Sequence, residues 1–322
     1  MIKKKFANSN VEVTLLGFGC WGIGKSDWMG ATDSISKKAL LRAIDEGINF
    51  FDTALAYGDG HSEQLVGEAE KESGKNIFIA SKIPSKKYEW PANDDSTLKE
   101  SFPKEYIIES TEKSLRNLKR DYIDLMQFHV WNDKWTDRDE WKEAVQQLKK
   151  EGKVRFFGIS INDHEPENGM KAGKTGLIDS FQVIFNIFEH KPIVSLFPFC
   201  KKNKIAVIAR VPFDEGALTG NVTHNILFPH GDFRNNYFRD KRKSEIELRV
   251  KHIWDDVKSE TDDIAEAALR YIISFDAVTT VIPGMRSERN LLANIKSINE
   301  GPLSKNVLAR LRVHKWDKNF YE

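Results

Sequence analysis

Short apolar stretches alternate along the chain with longer segments in which apolar residues recur every three or four positions. Several of the short stretches are apolar throughout, as expected for parallel strands that are covered on both faces. They predict strands at 14–21, 48–53, 77–83, 122–129, 155–159, 180–184, 205–209 and 279–282. The longer segments predict helices at 33–46, 61–72, 104–119, 137–150, 261–274 and 287–297.

This alternation predicts a fold class. Eight strands that alternate with helical segments favour right-handed parallel crossovers and a closed (β/α)8 TIM barrel, with residues 1–322 as a single domain. The alternative is an open doubly wound sheet, in which a glycine-rich turn leads directly into a helix. The four glycines within 17–24 resemble that turn only loosely, because residues 27–32 separate them from the next helix.

Two long segments contain no predicted strand. Residues 84–103 follow the third strand, and residues 221–260 follow the seventh. In a barrel both leave the C-terminal face, where ligands bind, so we expect them to contribute to function. The alternative is that they are surface insertions.

The overall composition narrows the function classes. Of 322 residues, 40% are hydrophobic, and 49 basic side chains balance 48 acidic ones to a net charge of +1. This balance argues against a nucleic-acid partner, and the basic runs 3–5 and 239–243 are expected to be solvated surface. No apolar run approaches the roughly 20 residues of a membrane span, and no secretory signal precedes the first strand. Cys20 and Cys200 suit neither a disulfide framework nor a metal site, so we expect a cytoplasmic protein without a metal.

Four ionisable residues fall at or just beyond the predicted C-terminal ends of consecutive strands. Asp52 ends the second strand, and Tyr57 follows it in the loop. Lys82 ends the third strand and His129 ends the fourth. These strand ends converge at one mouth of a closed barrel, so the four side chains are expected to meet there. A charged group at a buried strand end requires a partner, which Asp52 and Lys82 provide for each other.

This group predicts proton transfer to a carbonyl oxygen. The Lys82 ammonium should lower the pKa of Tyr57 from its ordinary value of about 10, and Asp52 should keep Lys82 protonated. Tyr57 would then act as a general acid, while His129 donates a second hydrogen bond to the same oxygen. Two alternatives stay open: each residue has a separate structural role, or Lys82 is the Schiff-base amine of a lyase barrel.

The sequence around these residues resembles the aldo-keto reductase family. Asp52, Tyr57, Lys82 and His129 match the family's pattern of an Asp, a Tyr five positions later, a strand-end Lys and a strand-end His. Similar motifs follow in the same order over nearly the whole chain. They read GFGCW, INFFDTALAYGDGHSEQLVGEA, IASKIP, DYIDLMQFHVW, GKVRFFGIS, FQVIFNIF, ARVPFDEGALTG and VIPGMRSERNLLANI.

The resemblance implies an oxidoreductase that reduces a small aldehyde, ketone or keto-sugar with NADPH. The implied catalytic residues are Asp52, Tyr57, Lys82 and His129, and the implied substrate contacts are Trp21, Tyr57, His129 and Trp131. An alternative within the family is a cofactor-binding regulatory subunit with slow or no turnover. The oligomeric state stays open.

The resemblance also divides the cofactor among groups of residues. The implied contacts are Cys20, Trp21 and Asp52 with the nicotinamide, Ser160 and Gln182 with its carboxamide, Arg210, Pro212, Phe213, Gly216 and Leu218 with the pyrophosphate, and Gly284, Arg286, Asn290 and Asn294 with the adenosine half. Arg286 suits a 2′-phosphate because it stands at the start of a predicted helix.

The sequence departs from the family's pattern at three positions. Ile161, and not Asn or Arg, follows Ser160. Arg210 replaces the aromatic residue or serine that is common beside the nicotinamide, and Ala293 replaces an acidic adenine contact.

Overall fold

Eight parallel strands stand side by side in chain order in the computed structural model, which describes residues 1–25, 27–93 and 95–322. The strands are the N-terminal hairpin β1 (Lys3–Lys5) and β2 (Glu12–Thr14), followed by the barrel strands β3 (Phe18–Gly19), β4 (Phe50–Asp52), β5 (Phe78–Ile83), β6 (Ile123–Phe128), β7 (Val154–Ser160), β8 (Ser180–Ile184), β9 (Ala206–Arg210) and β10 (Thr280–Val281). The amide of Gly17 donates to the carbonyl of Val281 over 2.8 Å. This contact joins the first barrel strand to the last, and it confirms the predicted (β/α)8 barrel.

Helices connect the strands and cover the outside of the barrel. They are α1 (Asp33–Asp45), α2 (His61–Ser73), α3 (Leu98–Ser101), α4 (Lys104–Leu118), α5 (Asp139–Lys150), α6 (Met170–Gly173), α7 (Leu196–Asn203), α8 (Arg234–Tyr237), α9 (Arg242–Val257), α10 (Ile264–Ile273), α11 (Glu288–Asn299) and α12 (Lys305–Leu311). Over the described ranges, none of these helices pairs enough length with enough apolar character to cross a bilayer.

The glycines of the first strand serve close packing. A Cβ atom on Gly19 would lie 2.7 Å from the carbonyl oxygen of Ile282, and one on Gly17 would lie 2.8 Å from the ring of Phe50. Neither space admits a side chain, so these glycines allow β3 to approach β10 and close the barrel. The loose likeness to a dinucleotide-binding turn therefore has a packing origin.

The N-terminal basic run is a strand, although it was predicted to be only a solvated terminus. Lys3–Lys5 pairs with Glu12–Thr14 in an antiparallel hairpin, and Lys4 donates to the Val278 carbonyl over 2.7 Å. The hairpin brings Phe6 against Phe78, with ring centroids 4.8 Å apart. It thereby closes the N-terminal end of the barrel, opposite the strand ends that carry the ionisable residues.

Several predicted boundaries need correction. The first strand ends at Gly19, and Trp21 begins a short 3-10 helix. Thr32 caps α1, directly before the predicted start at 33, and Asp263 caps α10, so that this helix begins three residues after the predicted start at 261. The segment 221–260, predicted as a long loop, contains the four-turn helix α9, which lies on the outside of the barrel against α10 and α12.

Candidate active site

Four ionisable side chains meet at the C-terminal mouth of the barrel. Asp52 is the last residue of β4, Lys82 is the fifth of the six residues of β5, and His129 directly follows β6. Tyr57 lies in the loop between β4 and α2. The predicted convergence follows from parallel pairing, which aligns the C-terminal ends of neighbouring strands.

The Lys82 ammonium is the centre of this group. It lies 2.6 Å from an Asp52 carboxylate oxygen, 2.7 Å from the Thr53 carbonyl oxygen and 3.3 Å from the Tyr57 hydroxyl. The side-chain amide of Gln182 donates to the other oxygen of Asp52 over 2.7 Å. Lys82 is fully buried, so these partners replace the hydration that its charge has lost.

The position of Tyr57 depends on Gly24, one of the four glycines within 17–24, and on Gly58, which was not predicted to have a role. A Cβ atom on Gly24 would lie 2.9 Å from the Tyr57 carbonyl carbon. One on Gly58 would lie 2.1 Å from the Gly24 oxygen, and Gly58 has φ +66°. The turn that carries Tyr57 therefore packs directly on the loop after β3. Gly58 lies outside the predicted strands and helices, so only its position next to Tyr57 could have drawn attention to it.

Burial and charge act in opposite directions on Lys82 and Tyr57. Burial lowers the pKa of Lys82, but the attraction of Asp52 and Tyr57 outweighs it, and the net pKa is raised. Burial, together with the Asp52 charge, raises the pKa of Tyr57 by more than Lys82 and Arg210 lower it. The expectation that Lys82 brings the pKa of Tyr57 below its ordinary value is therefore wrong. Tyr57 carries its proton throughout the neutral range.

His129 lies between the rings of Tyr57 and Trp90. Its centroid is 5.7 Å from that of Tyr57 and 4.7 Å from that of Trp90, both edge to face. Burial, with the charges of Lys82 and Arg210, holds the pKa of His129 well below its usual range. The imidazole is therefore neutral at physiological pH and keeps one N–H to donate.

Trp90 belongs to the segment 84–103 that follows β5. The indole N–H donates to Asp163 over 2.9 Å, and this bond holds the ring over His129. Arg210 completes the arrangement, because its guanidinium lies 2.6 Å from the other Asp163 oxygen and 5.9 Å from the Trp90 ring centroid. Trp90 of this segment thus covers one side of the His129 ring.

Two tryptophans predicted to contact substrate occupy different environments. The ring of Trp21 is partly exposed and lies 6.3 Å from the Tyr57 ring and 5.4 Å from that of Phe233. Trp131 is fully buried and packs on Trp141 at 5.3 Å. The structure therefore places Trp21 beside Tyr57. Trp131 instead lies in the core between the barrel and α5 and does not line the mouth of the barrel.

The residues expected around the nicotinamide differ in their surroundings. Ser160 ends β7 beside Gln182 of β8, and the buried Ser160 hydroxyl has no hydrogen-bond partner among the described residues. Cys20 is fully buried, its thiol lies 3.6 Å from the Phe18 carbonyl oxygen, and its amide donates to the Asp52 carbonyl over 2.9 Å. Asn162, two positions after Ser160, instead accepts a bond from the Trp131 amide.

The chain turns sharply after β9, where the pyrophosphate contacts were predicted. Phe213 and Gly216 are partly exposed, whereas Pro212 and Leu218 are buried. Positive φ angles occur at Val211 (54°), Asp214 (49°), Glu215 (56°) and Gly216 (104°). The buried acids Asp214 and Glu215 were not predicted as part of the site, although their letters stand within the quoted ARVPFDEGALTG motif.

The predicted adenosine contacts lie at the start of α11. Gly284 and Asn290 are exposed, whereas Asn294 is buried. The Arg286 guanidinium donates to the Met29 carbonyl over 2.8 Å and lies 5.8 Å from the Trp28 ring centroid. Ala293, at the position of the usual acidic contact, is exposed.

Unpartnered buried polar atoms fit a nicotinamide cofactor across this mouth. Within the described ranges the Ser160 hydroxyl, the Arg210 Nε and the Asn294 side-chain nitrogen are buried without a hydrogen-bond partner. Buried polar groups are normally bonded, so these three atoms can take their missing partners from a ligand, whereas other buried atoms without a partner, such as the Ser101 hydroxyl of α3, lie elsewhere. They stand on β7, β9 and α11, the elements assigned to the carboxamide, the pyrophosphate and the adenosine.

Comparisons with known proteins agree with this geometry. The model of the aldo/keto reductase family matches residues 15–315. Aldo-keto reductase YhdN of Bacillus subtilis (strain 168) is 34% identical over 232 residues, 71% of this chain and 67% of the relative. The solved holo form of aldo-keto reductase AKR11C1 from Bacillus halodurans superposes with a TM-score of 0.76, at 27% identity and with all of both chains covered. The chain therefore belongs to the aldo/keto reductase family.

Family membership identifies the protein as an NAD(P)H-dependent oxidoreductase that acts on small carbonyl compounds, but it does not choose between the two cofactors. The NADH-specific methylglyoxal reductase of Escherichia coli (strain K12) is 26% identical over 309 residues, which cover 92% of this chain and 94% of the relative.

Proposed function

We propose that this protein reduces an aldehyde, ketone or keto-sugar to an alcohol with NADPH, and that Tyr57 is the general acid. The observation that carries the proposal is the Lys82 ammonium, 2.6 Å from Asp52 and 3.3 Å from the Tyr57 hydroxyl. A phenol that keeps its proton at neutral pH and faces an ammonium is suited to deliver that proton to an oxygen that gains charge.

The four residues have distinct roles in this proposal. The bound cofactor supplies a hydride to the carbonyl carbon. Tyr57 donates its proton to the carbonyl oxygen, and Lys82 stabilises the phenolate that remains. Asp52 holds Lys82 charged and oriented through the 2.6 Å contact. The neutral His129 imidazole donates a second hydrogen bond to the same oxygen and polarises the carbonyl.

The electrostatics of Lys82 argue against the lyase alternative. A Schiff base requires a neutral amine, which proteins obtain by desolvation or by a second cation nearby. Here Asp52 and Tyr57 outweigh burial and raise the pKa of Lys82. Lys82 therefore remains an ammonium and supports proton transfer, not nucleophilic attack.

The substrate proposal is tested with purified protein, NADPH and a panel of aldehydes, ketones and keto-sugars. We expect NADPH oxidation in proportion to alcohol formed for at least one class. NADPH binding without turnover on any member of the panel would instead favour the regulatory-subunit alternative.

The pH dependence of reduction follows from the raised pKa of Tyr57. Reduction needs the protonated phenol, so kcat has its full value below the pKa of Tyr57 and decreases only as pH rises through that pKa. We expect a flat kcat between about pH 6 and pH 9, because Tyr57 titrates above its ordinary value of about 10 and His129 remains neutral. In the oxidation direction, which needs the phenolate, the rate should rise over the same range. A fall in kcat for reduction near neutral pH that disappears in Tyr57→Phe would show that Tyr57 titrates there, and it would contradict the raised pKa of Tyr57.

Replacement of Arg286 by alanine tests the preference for NADPH. One guanidinium nitrogen of Arg286 donates to the Met29 carbonyl. Its other N–H groups are left to bind a 2′-phosphate. We expect the Kd of NADPH to rise about tenfold, equivalent to about 1.4 kcal/mol, and that of NADH to change little. Arg289→Ala, at an exposed arginine in the first turn of α11, is the matched control. Equal weakening of both cofactors in Arg286→Ala would remove the 2′-phosphate role.

A further inference from the structure

The last residues of the chain run across the turn that follows β9. The Lys318 ammonium lies 2.8 Å from each carboxylate oxygen of Asp214 and 3.1 Å from the Tyr237 hydroxyl. The Tyr321 hydroxyl donates to Glu215 over 2.5 Å. Two consecutive residues of the turn are therefore bound to the C-terminal segment 315–322.

The segment itself is firmly held. The amide of Trp316 donates to the Phe188 carbonyl over 2.9 Å, and Arg242 of α9 donates to the Phe320 carbonyl over 3.1 Å. The Lys318 side chain is 4% exposed, so its contact with Asp214 is a buried ion pair. The C-terminal segment is thus a rigid support and not a loose end.

The turn needs such a support because of its backbone. Asp214 and Glu215 have φ angles of 49° and 56°, and Val211 has 54°. Residues with a Cβ rarely adopt this left-handed region, least of all a β-branched one such as Val211, and they keep it only when surrounding contacts hold it. The side chains of Asp214 and Glu215 obtain those contacts from Lys318 and Tyr321.

The contacts of the C-terminal segment also change the charge of the turn after β9. The turn is the proposed pyrophosphate site, yet it carries two buried acidic side chains that would repel a phosphate. Lys318 neutralises Asp214 through the paired 2.8 Å contacts. Burial raises the pKa of Glu215 to about 7, which removes part of the second charge, and the Tyr321 hydroxyl donates to the carboxylate that remains.

We infer that Lys318 and Tyr321 are positioning residues for the cofactor: the C-terminal segment holds residues 211–218 in the shape and with the charge that accept the pyrophosphate. The inference rests on the proposed role of that turn in binding NADPH. It assigns to the C-terminus a contribution to cofactor affinity, separate from the proton-transfer group.

Lys318→Met in the full-length protein tests this inference. NADPH fluorescence titration should show a Kd about tenfold higher than that of the unaltered protein, within the range typical of coupling between neighbouring sites. At saturating NADPH, kcat should stay within about twofold, because Lys318 touches none of the proton-transfer residues. Lys315→Met, which removes an exposed lysine of the same segment, should leave both quantities unchanged.

Two further variants separate charge from packing. Lys318→Arg should restore most of the NADPH affinity, because it keeps the cation beside Asp214. Asp214→Asn combined with Lys318→Met should also recover affinity, since no buried charge is left without a partner. If the double variant binds as weakly as Lys318→Met alone, the charge part of the inference is overturned, and the turn depends on Lys318 only for its shape. Wild-type affinity in folded Lys318→Met overturns the inference as a whole.

Tyr321→Phe keeps the inference testable if Lys318→Met does not fold. Loss of the hydrogen bond to Glu215 should raise the Kd of NADPH about threefold, and an unchanged Kd would count against the support. The titration needs no substrate. A protein that binds NADPH but reduces nothing would therefore defeat the proposed function and leave this test intact.

Discussion

Tyr57→Phe is expected to lower kcat for carbonyl reduction at least about a hundredfold, the usual contribution of a general acid. The substitution removes one hydroxyl, 3.3 Å from the Lys82 ammonium, and keeps the ring that packs near Trp21 and His129. The carbonyl oxygen then gains charge without a proton donor. Steady-state NADPH oxidation on the best substrate of the panel measures the loss.

The control for this prediction is cofactor binding. The Kd of NADPH should change little in Tyr57→Phe, because the unpartnered polar atoms that fit the cofactor lie on β7, β9 and α11. Tyr106→Phe, at a tyrosine whose hydroxyl instead donates to the Pro84 carbonyl, is a matched variant that should keep full turnover. Wild-type turnover in Tyr57→Phe on every carbonyl tested would show that another group donates the proton.

Lys82→Met should lower both activity and stability. Without the ammonium, the Tyr57 phenolate loses its nearest stabilising charge, and kcat should fall on the order of a thousandfold. The free energy of unfolding should fall by about 3–5 kcal/mol, because Asp52 would stay buried, with only Gln182 as its remaining side-chain partner. Substrate turnover and denaturant unfolding measure the two effects.

A double variant distinguishes the effect of Lys82 on turnover from its effect on stability. Asp52→Asn combined with Lys82→Met removes the unpaired charge, so stability should recover while turnover remains low. Should Lys82→Met unfold at the same denaturant concentration as the unaltered protein, the buried pair would not carry the stability assigned to it. Recovery of turnover in the double variant would separate Lys82 from the chemistry.

The barrel and the meeting of four residues at its mouth were predictable for one physical reason. Continuous apolar stretches indicated parallel strands, and parallel pairing aligns strand ends, so Asp52, Lys82 and His129 had to converge once the barrel closed. The family resemblance added the cofactor assignments, for which the orphan atoms of Ser160 and Asn294 are consistent local evidence.

Other features depend on distances that no sequence pattern contains. The sign of the pKa shift of Tyr57 results from burial against the attraction of Lys82, and only the folded chain sets the balance. Trp131 stands two positions beyond His129, past the end of β6, where strand alternation no longer says which way a side chain points. The support of Asp214 by Lys318 joins residues 104 positions apart.

The central claim is that Tyr57 hands its proton to the carbonyl oxygen of the substrate. A crystal structure with oxidised cofactor and an unreactive carbonyl analogue tests it most directly. We predict the analogue's oxygen within about 3.2 Å of the Tyr57 hydroxyl, with the His129 imidazole as its second donor. An analogue oxygen bound beyond the reach of Tyr57, beside a different proton donor, would contradict the claim.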